Sequence, residues 1–342
     1  MIYIKKEFIY KSEFAPYIKS FLLEKEQKGQ LKSNMLKNFM LEFDRFFQEY
    51  NITDLQITED VVLQWRSTRI NDNDRNLYHK YVAWKHFCSY LYSLEIGSYI
   101  PRIPRAGRQN DYIPYIFTAE EIQLIFETVD KLRISTNKNT TPMFAMPALY
   151  RLLYSTGMRI SEALSLKNED LDFNNRIIYI NKTKNEQQRL AVMADSLFAV
   201  LQEYKNFKEL IPVDKINSNE KYFFVTQLGK PCHKTNVRFW FQKVLYCADI
   251  PRQTYVNRPR IHDLRHTAAV HGFQKLISQG MDIYCSLPLI SIFLGHKHIK
   301  STEKYVRLTS QMFPDLIKKQ KITSFVFPEM KFIKKNDYDG FW

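Results

Sequence analysis

Glycine and proline are scarce in this chain. With nine glycines and thirteen prolines in 342 residues, each place where they gather is informative about where the chain breaks. Cysteine is scarcer still: Cys88, Cys232, Cys247 and Cys285 are scattered and form no C-x-x-C pair. That excludes a clustered-cysteine zinc site and suits reduced thiols in a cytosol. No apolar run approaches the length of a membrane span, and the opening MIYIKKEFIYKSEF lacks the apolar core of a signal peptide. The expected location is the cytoplasm, with no membrane partner. Acidic residues are also in deficit, 36 against 50 basic ones, for a net charge of +14 and a pI near 9.4. Such an excess favours a polyanionic partner, and without a membrane signal that partner is nucleic acid.

What is present falls into two halves. The clearest break is YIPRIPRAGRQNDYIPY, residues 99–115, which holds three prolines, a glycine and three arginines (Arg102, Arg105, Arg108). It reads as an extended basic linker able to follow a phosphate backbone. Before it, residues 1–98 carry apolar positions at three- and four-residue spacing over Phe14–Lys28, Leu31–Tyr50, Glu59–Arg69 and Asp74–Leu94. In the last of these, Leu77, Tyr81, Trp84, Phe87, Cys88 and Leu91 make one stripe, so the first half is a small helical bundle. After the linker, Thr118-x-x-Glu121 is a capping box before IQLIFETVDKL, and the helix MFAMPALYRLLYST stops at Gly157. The period then changes: RIIYI and RLAVM are β-rich runs flanking NKTKNEQQ, a hairpin with a basic tip. Helical patterns resume at SLFAVLQEYKNF, near Asn236–Cys247, at HTAAVHGFQKLIS and around Leu289–Phe293. The fold class is therefore mainly α, a helical bundle followed by a mostly helical domain (residues 116–310) with a small antiparallel sheet.

Four pieces of the second half carry chemistry: TGMRISEAL with Arg159, the hairpin with Lys182 and Lys184, RIHDLRHTAA with His262 and Arg265, and FLGHKHIKSTEKYVRL with His296 and Tyr305. Each has an ordinary reading. Tyr305 is one of 21 tyrosines and its local pattern offers no strong apolar partner. Arg159 is a surface charge or ion-pair partner, the lysines are solvated, His262 and Arg265 share a helix face, and His296 is a turn residue. Together they form a coherent set for attack on a phosphodiester. Two guanidinium forks receive the charge that grows on the phosphate oxygens. A tyrosine hydroxyl forms a covalent phosphoester, so that cleavage and rejoining become two steps. A lysine ammonium protonates the leaving sugar oxygen, and histidines donate to the phosphate or handle the tyrosine's proton.

The order and spacing of these pieces resemble the tyrosine recombinases, the phage-type integrases that include the Xer proteins. The family's G-x-R-x-S-E-x-L stretch is matched by Gly157–Leu164, its H-x-L-R-H-T-A box by His262–Ala268 and its L-G-H box by Leu294–His296. Its tyrosine follows that last histidine by nine residues, as Tyr305 does in STEKY. Its hairpin lysine stands five residues before an R-L-V-P strand. Counting back from Arg189 in QRLAVM, which lacks the proline, gives Lys184, with Lys182 as the alternative. The resemblance is strong over the second half and follows the first half only in outline, as a SAM-like core-binding bundle. It implies a catalytic set of Tyr305, Arg159, Lys184, His262, Arg265 and His296, no metal and no cofactor. It also implies double-stranded DNA with paired half-sites, held by a homotetramer on two sites, with accessory or directionality proteins as further partners and a mobile element or bacterial host as the setting. Further DNA contacts are expected from Arg102, Arg105, Arg108, Lys182, Arg189, Arg260 and Lys297.

Three other readings compete: a type IB topoisomerase, a DNA-binding regulator that lost the chemistry, and a metal-dependent nuclease built on His262, His266, His271, His296 and His298. The last lacks nearby carboxylates. Residues 311–342 are too apolar for a free tail, with Met312, Phe313, Leu316, Ile317, Ile322, Phe325, Val326 and Phe327 needing burial. They are expected to dock on the chain's own domain or on a neighbouring protomer.

Overall fold

A computed structural model describes residues 8–31, 33–106, 113–132, 142–181, 188–214, 216–218, 220–250 and 258–314. The hairpin lysines Lys182 and Lys184, Arg108, and the tail beyond residue 314 lie outside them. The chain divides into two compact units, Met1–Tyr112 and Ile113–Trp342. Among the described residues no helix is long and apolar enough to cross a membrane.

The first unit is built from α1 (Ala15–Gln27), α2 (Met35–Glu49), α3 (Glu59–Ser67) and α4 (Asp74–Ser93). Thr58 and Asn73 start α3 and α4 by accepting the N–H groups of Val61 and Asn76. The core is aromatic. Phe43 stacks on Trp84 with ring centres 4.1 Å apart, Phe14 stacks on Phe47 at 4.3 Å, and Trp65 stands edge-on to Phe43. The buried Asp44 carboxylate accepts the backbone N–H groups of Lys11 and Ser12 and the Ser12 hydroxyl, and so fastens the segment before α1 onto α2. The stripe on α4 is buried as its spacing predicts, but Lys80 is buried beside it, with Nζ 2.7 Å from both Glu42 and Asp72. Burial raises the Asp72 pKa, yet hydrogen bonds from Lys80 and Asn76 outweigh it and hold the carboxyl below its usual range.

The second unit opens on the expected capping box: the Glu121 N–H donates to Thr118 Oγ1 and the Thr118 N–H to Glu121 Oε2. This starts α5 (Ala119–Lys131). Central to the unit is α6 (Met146–Thr156), which packs against α5, α8 (Asp195–Glu209) and α10 (Asp263–Ser278). The short α7 (Ile160–Ala163) leads to a three-stranded antiparallel sheet of β1 (Leu171–Asp172), β2 (Ile177–Ile180) and β3 (Arg189–Val192). The two longer strands are those expected; β1 adds a short edge. Ile178 pairs with Ala191 and Ile180 with Arg189. Since Ile178, Ile180 and Ala191 are buried while Leu190 and Val192 are exposed, strand alternation turns Arg189 inward. After α9 (Lys234–Cys247), the helices α10, α11 (Ile283–Leu294) and α12 (Lys300–Met312) enclose a second apolar cluster.

The apolar partners that the local pattern does not offer Tyr305 come largely from other helices. Tyr305 does have apolar partners: it lies on α12, is 1% exposed, and belongs to the cluster of Ala269, Val270, Phe273 and Leu294. The buried face of α12 is Thr302, Tyr305 and Thr309, whose threonines conceal the apolar period.

Replacing Lys80 by Ala strands two partly buried carboxylates. Discounted for the water that reaches Glu42 and Asp72, the expected loss is about 2 kcal/mol in urea unfolding of the full chain. A loss under about 0.5 kcal/mol would show that the triad adds nothing.

Candidate functional site

Two glycines decide where the site forms. Gly157 ends α6 at φ +58° and Gly295 ends α11 at φ +63°, both in the left-handed region that a side chain disfavours. Each is also a point of close approach. A Cβ at position 157 would stand 2.7 Å from the Phe293 ring, and one at 295 would stand 2.7 Å from Arg189 Cδ. The two motif glycines therefore bring the ends of α6 and α11 together, and Arg265 closes the junction. Its Nη1 donates to the Gly157 carbonyl (2.6 Å) and its Nη2 to the Leu294 carbonyl (2.8 Å), from a side chain that is fully enclosed.

Around that junction the structure gathers Arg159, His262, Arg265, His296 and Tyr305. Arg159 precedes α7, and its N–H (2.9 Å) and Nη1 (2.6 Å) both donate to the buried Glu162 carboxylate. The Tyr305 hydroxyl lies 2.7 Å from His266 Nδ1, and its ring is parallel to that of His296 with centres 6.3 Å apart. His296 Nδ1 is 2.7 Å from the Thr302 hydroxyl. His262 sets its ring edge-on to His266 at 4.9 Å.

One residue lies elsewhere than expected. Arg189, expected on DNA, is turned inward by its place on β3: its Nη2 donates to Glu162 (3.1 Å) and its Nη1 to the Phe293 carbonyl (2.9 Å). Its guanidinium braces the site through these two contacts. Among the described residues no three His, Cys, Asp or Glu side chains gather as metal ligands, and His271 Nδ1 lies 2.8 Å from the Tyr154 hydroxyl. Glu162 and His266 were not singled out from sequence as parts of a phosphate-handling site. Both sit inside the quoted boxes, Glu162 as the E of G-x-R-x-S-E-x-L and His266 as the second H of H-x-L-R-H, so their signal was present but unassigned. Arg260 and Lys297 are exposed next to His262 and His296, and Arg102 and Arg105 are exposed in the first unit.

The electrostatics are lopsided. Burial, then Arg265, Arg159, Lys304 and Arg189, push His296 down to about 3. Burial, then Lys304, His262, Arg265 and His296, push His266 down to about 2. His262 moves the same way through desolvation and then Arg265, Lys304 and Arg159, although its side chain is open to water. All three rings are therefore neutral at physiological pH. Burial raises the Tyr305 phenol to about 12, against the pull of Arg265 and Arg159. Burial also lowers Arg265, to about 10, with Arg159 adding to it. Glu162 is desolvated too, but hydrogen bonds from Arg159 and the charge of Arg189 overcome that and keep it ionised below its usual range. The result is a cluster of cations with neutral imidazoles and a protonated phenol, an arrangement that favours an anion with growing charge.

Comparison with known proteins places the chain in a family. Residues 116–312 match the phage integrase family. An integrase/recombinase of Sinorhizobium fredii is 26% identical over 220 residues, covering 64% of this chain and 68% of that one. The tyrosine recombinase XerC of Lacticaseibacillus casei is 24% identical over 273 residues, covering 78% and 85%. Among solved structures, the pre-cleavage complex of the XerH site-specific recombinase with its difH substrate shares the fold, with a TM-score of 0.60 at 22% identity over 83% of this chain and 80% of that one. This chain belongs to the phage integrase family and is a tyrosine recombinase, an enzyme of DNA breaking and rejoining.

The role of Glu162 can be tested by stability. Its depressed pKa means that its contribution is complete above the unfolded carboxyl pKa of about 4.3 and is lost as pH falls through the lower folded value. Glu162→Gln is expected to cost about 2–4 kcal/mol at pH 7 in denaturant unfolding. The gap to the wild type should close below pH 4; a gap that is constant with pH would mean that the carboxylate charge is irrelevant.

Proposed function

We propose that this chain is a site-specific DNA recombinase in which Tyr305 attacks the scissile phosphate, leaving a 3′-phosphotyrosyl link and a free 5′-hydroxyl. The observation that carries this reading is the convergence of the Tyr305 hydroxyl with Arg265, Arg159 and His296 at the junction of α6 and α11. Arg159 and Arg265 stabilise the phosphorane charge, and His262 and His296, both neutral, donate N–H bonds to the non-bridging oxygens. The leaving 5′ oxygen takes its proton from the hairpin lysine, Lys184 or, in the alternative, Lys182. The substrate is double-stranded DNA carrying paired half-sites. The chain's basic excess, including Arg102, Arg105, Arg108, Arg260 and Lys297, supplies phosphate contacts whose strength falls steeply with salt. Related structures are complexes with a difH substrate and with transposon right-end DNA, which supports this choice of substrate. We place the enzyme in the cytoplasm, acting as a tetramer on two sites, with residues 116–310 as the catalytic domain and residues 1–98 as a core-binding domain.

Tyr305→Phe removes one oxygen and is expected to abolish the covalent adduct on a nicked suicide substrate while half-site binding stays within a few-fold of wild type. An adduct that persists assigns the nucleophile to another residue. Arg159→Ala should slow adduct formation by about 10² or more. It is a cleaner probe than Arg265→Ala, because Arg265 also holds two backbone carbonyls. Joining of two sites, as opposed to relaxation of one supercoiled circle, separates recombinase from topoisomerase.

The hairpin lysines can be told apart by leaving-group chemistry. With the 5′-bridging oxygen replaced by sulfur, the departing thiolate needs no proton. Lys184→Ala should then regain most of its lost rate, and Lys182→Ala should show little defect on either substrate. Rescue of Lys182→Ala alone reverses the assignment.

A further inference from the structure

We propose that His266 accepts the proton of Tyr305 as that hydroxyl attacks, its Nδ1 standing 2.7 Å from the phenolic oxygen. The inference rests on the reading of Tyr305 as the nucleophile and deepens it by naming where the proton goes. A phenol with its pKa raised by burial is a poor nucleophile unless its proton has an acceptor within reach. Of the titratable side chains at the junction, His266 is the one whose ring nitrogen is hydrogen-bonded to that hydroxyl. Its ring is buried, on the face of α10 that carries His262 and Arg265 toward α12. His296 has its Nδ1 bonded to Thr302 instead.

The charged and titratable groups around His266 are His262 and Arg265 on its own helix, Lys304 on α12, and His296 in the turn after α11. Burial and the charges of Lys304 and Arg265 keep the ring neutral, so Nδ1 offers a lone pair when Nε2 carries the hydrogen, and the phenol donates to it. The same cations oppose a proton on the ring until an anion arrives. A phosphodiester seated against Arg159 and Arg265 brings one negative charge, and the phosphorane brings a second, which offsets them. Proton acceptance is thus coupled to substrate binding. In the cleavage step the bond from Tyr305 Oη to phosphorus forms and the bond from phosphorus to the 5′ oxygen breaks. The phenolic proton moves to His266 Nδ1, and the 5′ oxygen takes a proton from the lysine ammonium. Rejoining runs the same transfers backward, with His266 returning the proton to Tyr305. The competing role is passive: a buried hydroxyl needs a partner, and His266 provides one.

Two substitutions separate these roles in the full chain. His266→Asn places a non-basic acceptor near the Nδ1 position, and His266→Ala removes the acceptor. We expect adduct formation on the nicked suicide substrate to fall about 10²–10³-fold in both, with half-site binding retained. The Asn variant's rate should rise about tenfold per pH unit from pH 7 to 9, as expected when hydroxide removes a proton from a phenol of pKa near 12, while the wild-type rate stays nearly flat. Added imidazole should restore the Ala variant, and a 5′-bridging sulfur should rescue neither, because the proton in question is not the leaving group's. An Asn variant within about threefold of wild type with an unchanged pH profile overturns the proposal and leaves a positioning role. Loss of half-site binding in proportion to rate also overturns it, in favour of a structural role. Tyr305→Phe runs in parallel: an adduct surviving in that variant sinks the nucleophile reading itself, whereas an inactive Phe variant beside an active Asn variant sinks only the role of His266.

Discussion

The guanidinium of Arg265, held between the carbonyls of Gly157 and Leu294, is the contact on which the rest of the site depends. Those carbonyls belong to the C-terminal ends of two helices, where unsatisfied oxygens and the helix dipole favour a cation. A buried arginine therefore finds compensation there without a carboxylate of its own. The cost of enclosing the charge is offset only while both helix ends stay in place. The bond thus works in both directions: the helix ends stabilise the cation, and the cation fixes the distance between the G-x-R and L-G-H boxes. Gly157 and Gly295 are required because a side chain at either would push the two ends apart, against Phe293 in one case and Arg189 in the other.

Charge at this junction is deliberately unbalanced. Arg159, Arg189, Arg265 and Lys304 converge, and Glu162 is the carboxylate that pairs with the first two. Using one buried carboxylate as a shared anchor orients two guanidinium groups without neutralising the region. Together with burial, the surplus lowers the pKa of the neighbouring imidazoles and gives the site an electrostatic preference for an anionic ligand. The first unit handles charge the opposite way: Lys80 is surrounded by Glu42 and Asp72, and Arg69 also reaches Glu42 at 3.3 Å. That cluster is self-satisfied and sits beside an aromatic core, which suits a rigid bundle and leaves no demand for a ligand.

Much of this was legible along the chain. The four helices of the first unit follow from three- and four-residue apolar spacing, α5 from its capping box, and β2 and β3 from β-branched runs around a polar tip. The helices and strands are local properties, set by backbone propensity within a few residues. The residues Arg159, His262, Arg265, His296 and Tyr305 suit phosphodiester chemistry by type, and the order of their motifs marked them as a set through its resemblance to the tyrosine recombinases.

Tertiary structure decided the remainder, because it rests on contacts far apart in sequence. Arg265 meets Gly157 across 108 residues and Arg189 meets Phe293 across 104, separations over which no periodicity carries information. The inward turn of Arg189 depends on the parity of β3 in its sheet, which only the pairing of Ile180 with Arg189 sets. The burial of Tyr305 was hidden because its helix faces the core through Thr302 and Thr309, polar residues whose hydroxyls are satisfied by His296 Nδ1 and the Tyr305 carbonyl. His266 and Glu162 owe their places to contacts with Tyr305 and Arg189 that are distant in sequence. By itself the sequence determined which chemistry the chain carries and which segments are helix or strand. The packing of helix ends determined which of its many cations, histidines and tyrosines face one another, since that depends on burial and on long-range hydrogen bonds that form only in the folded chain.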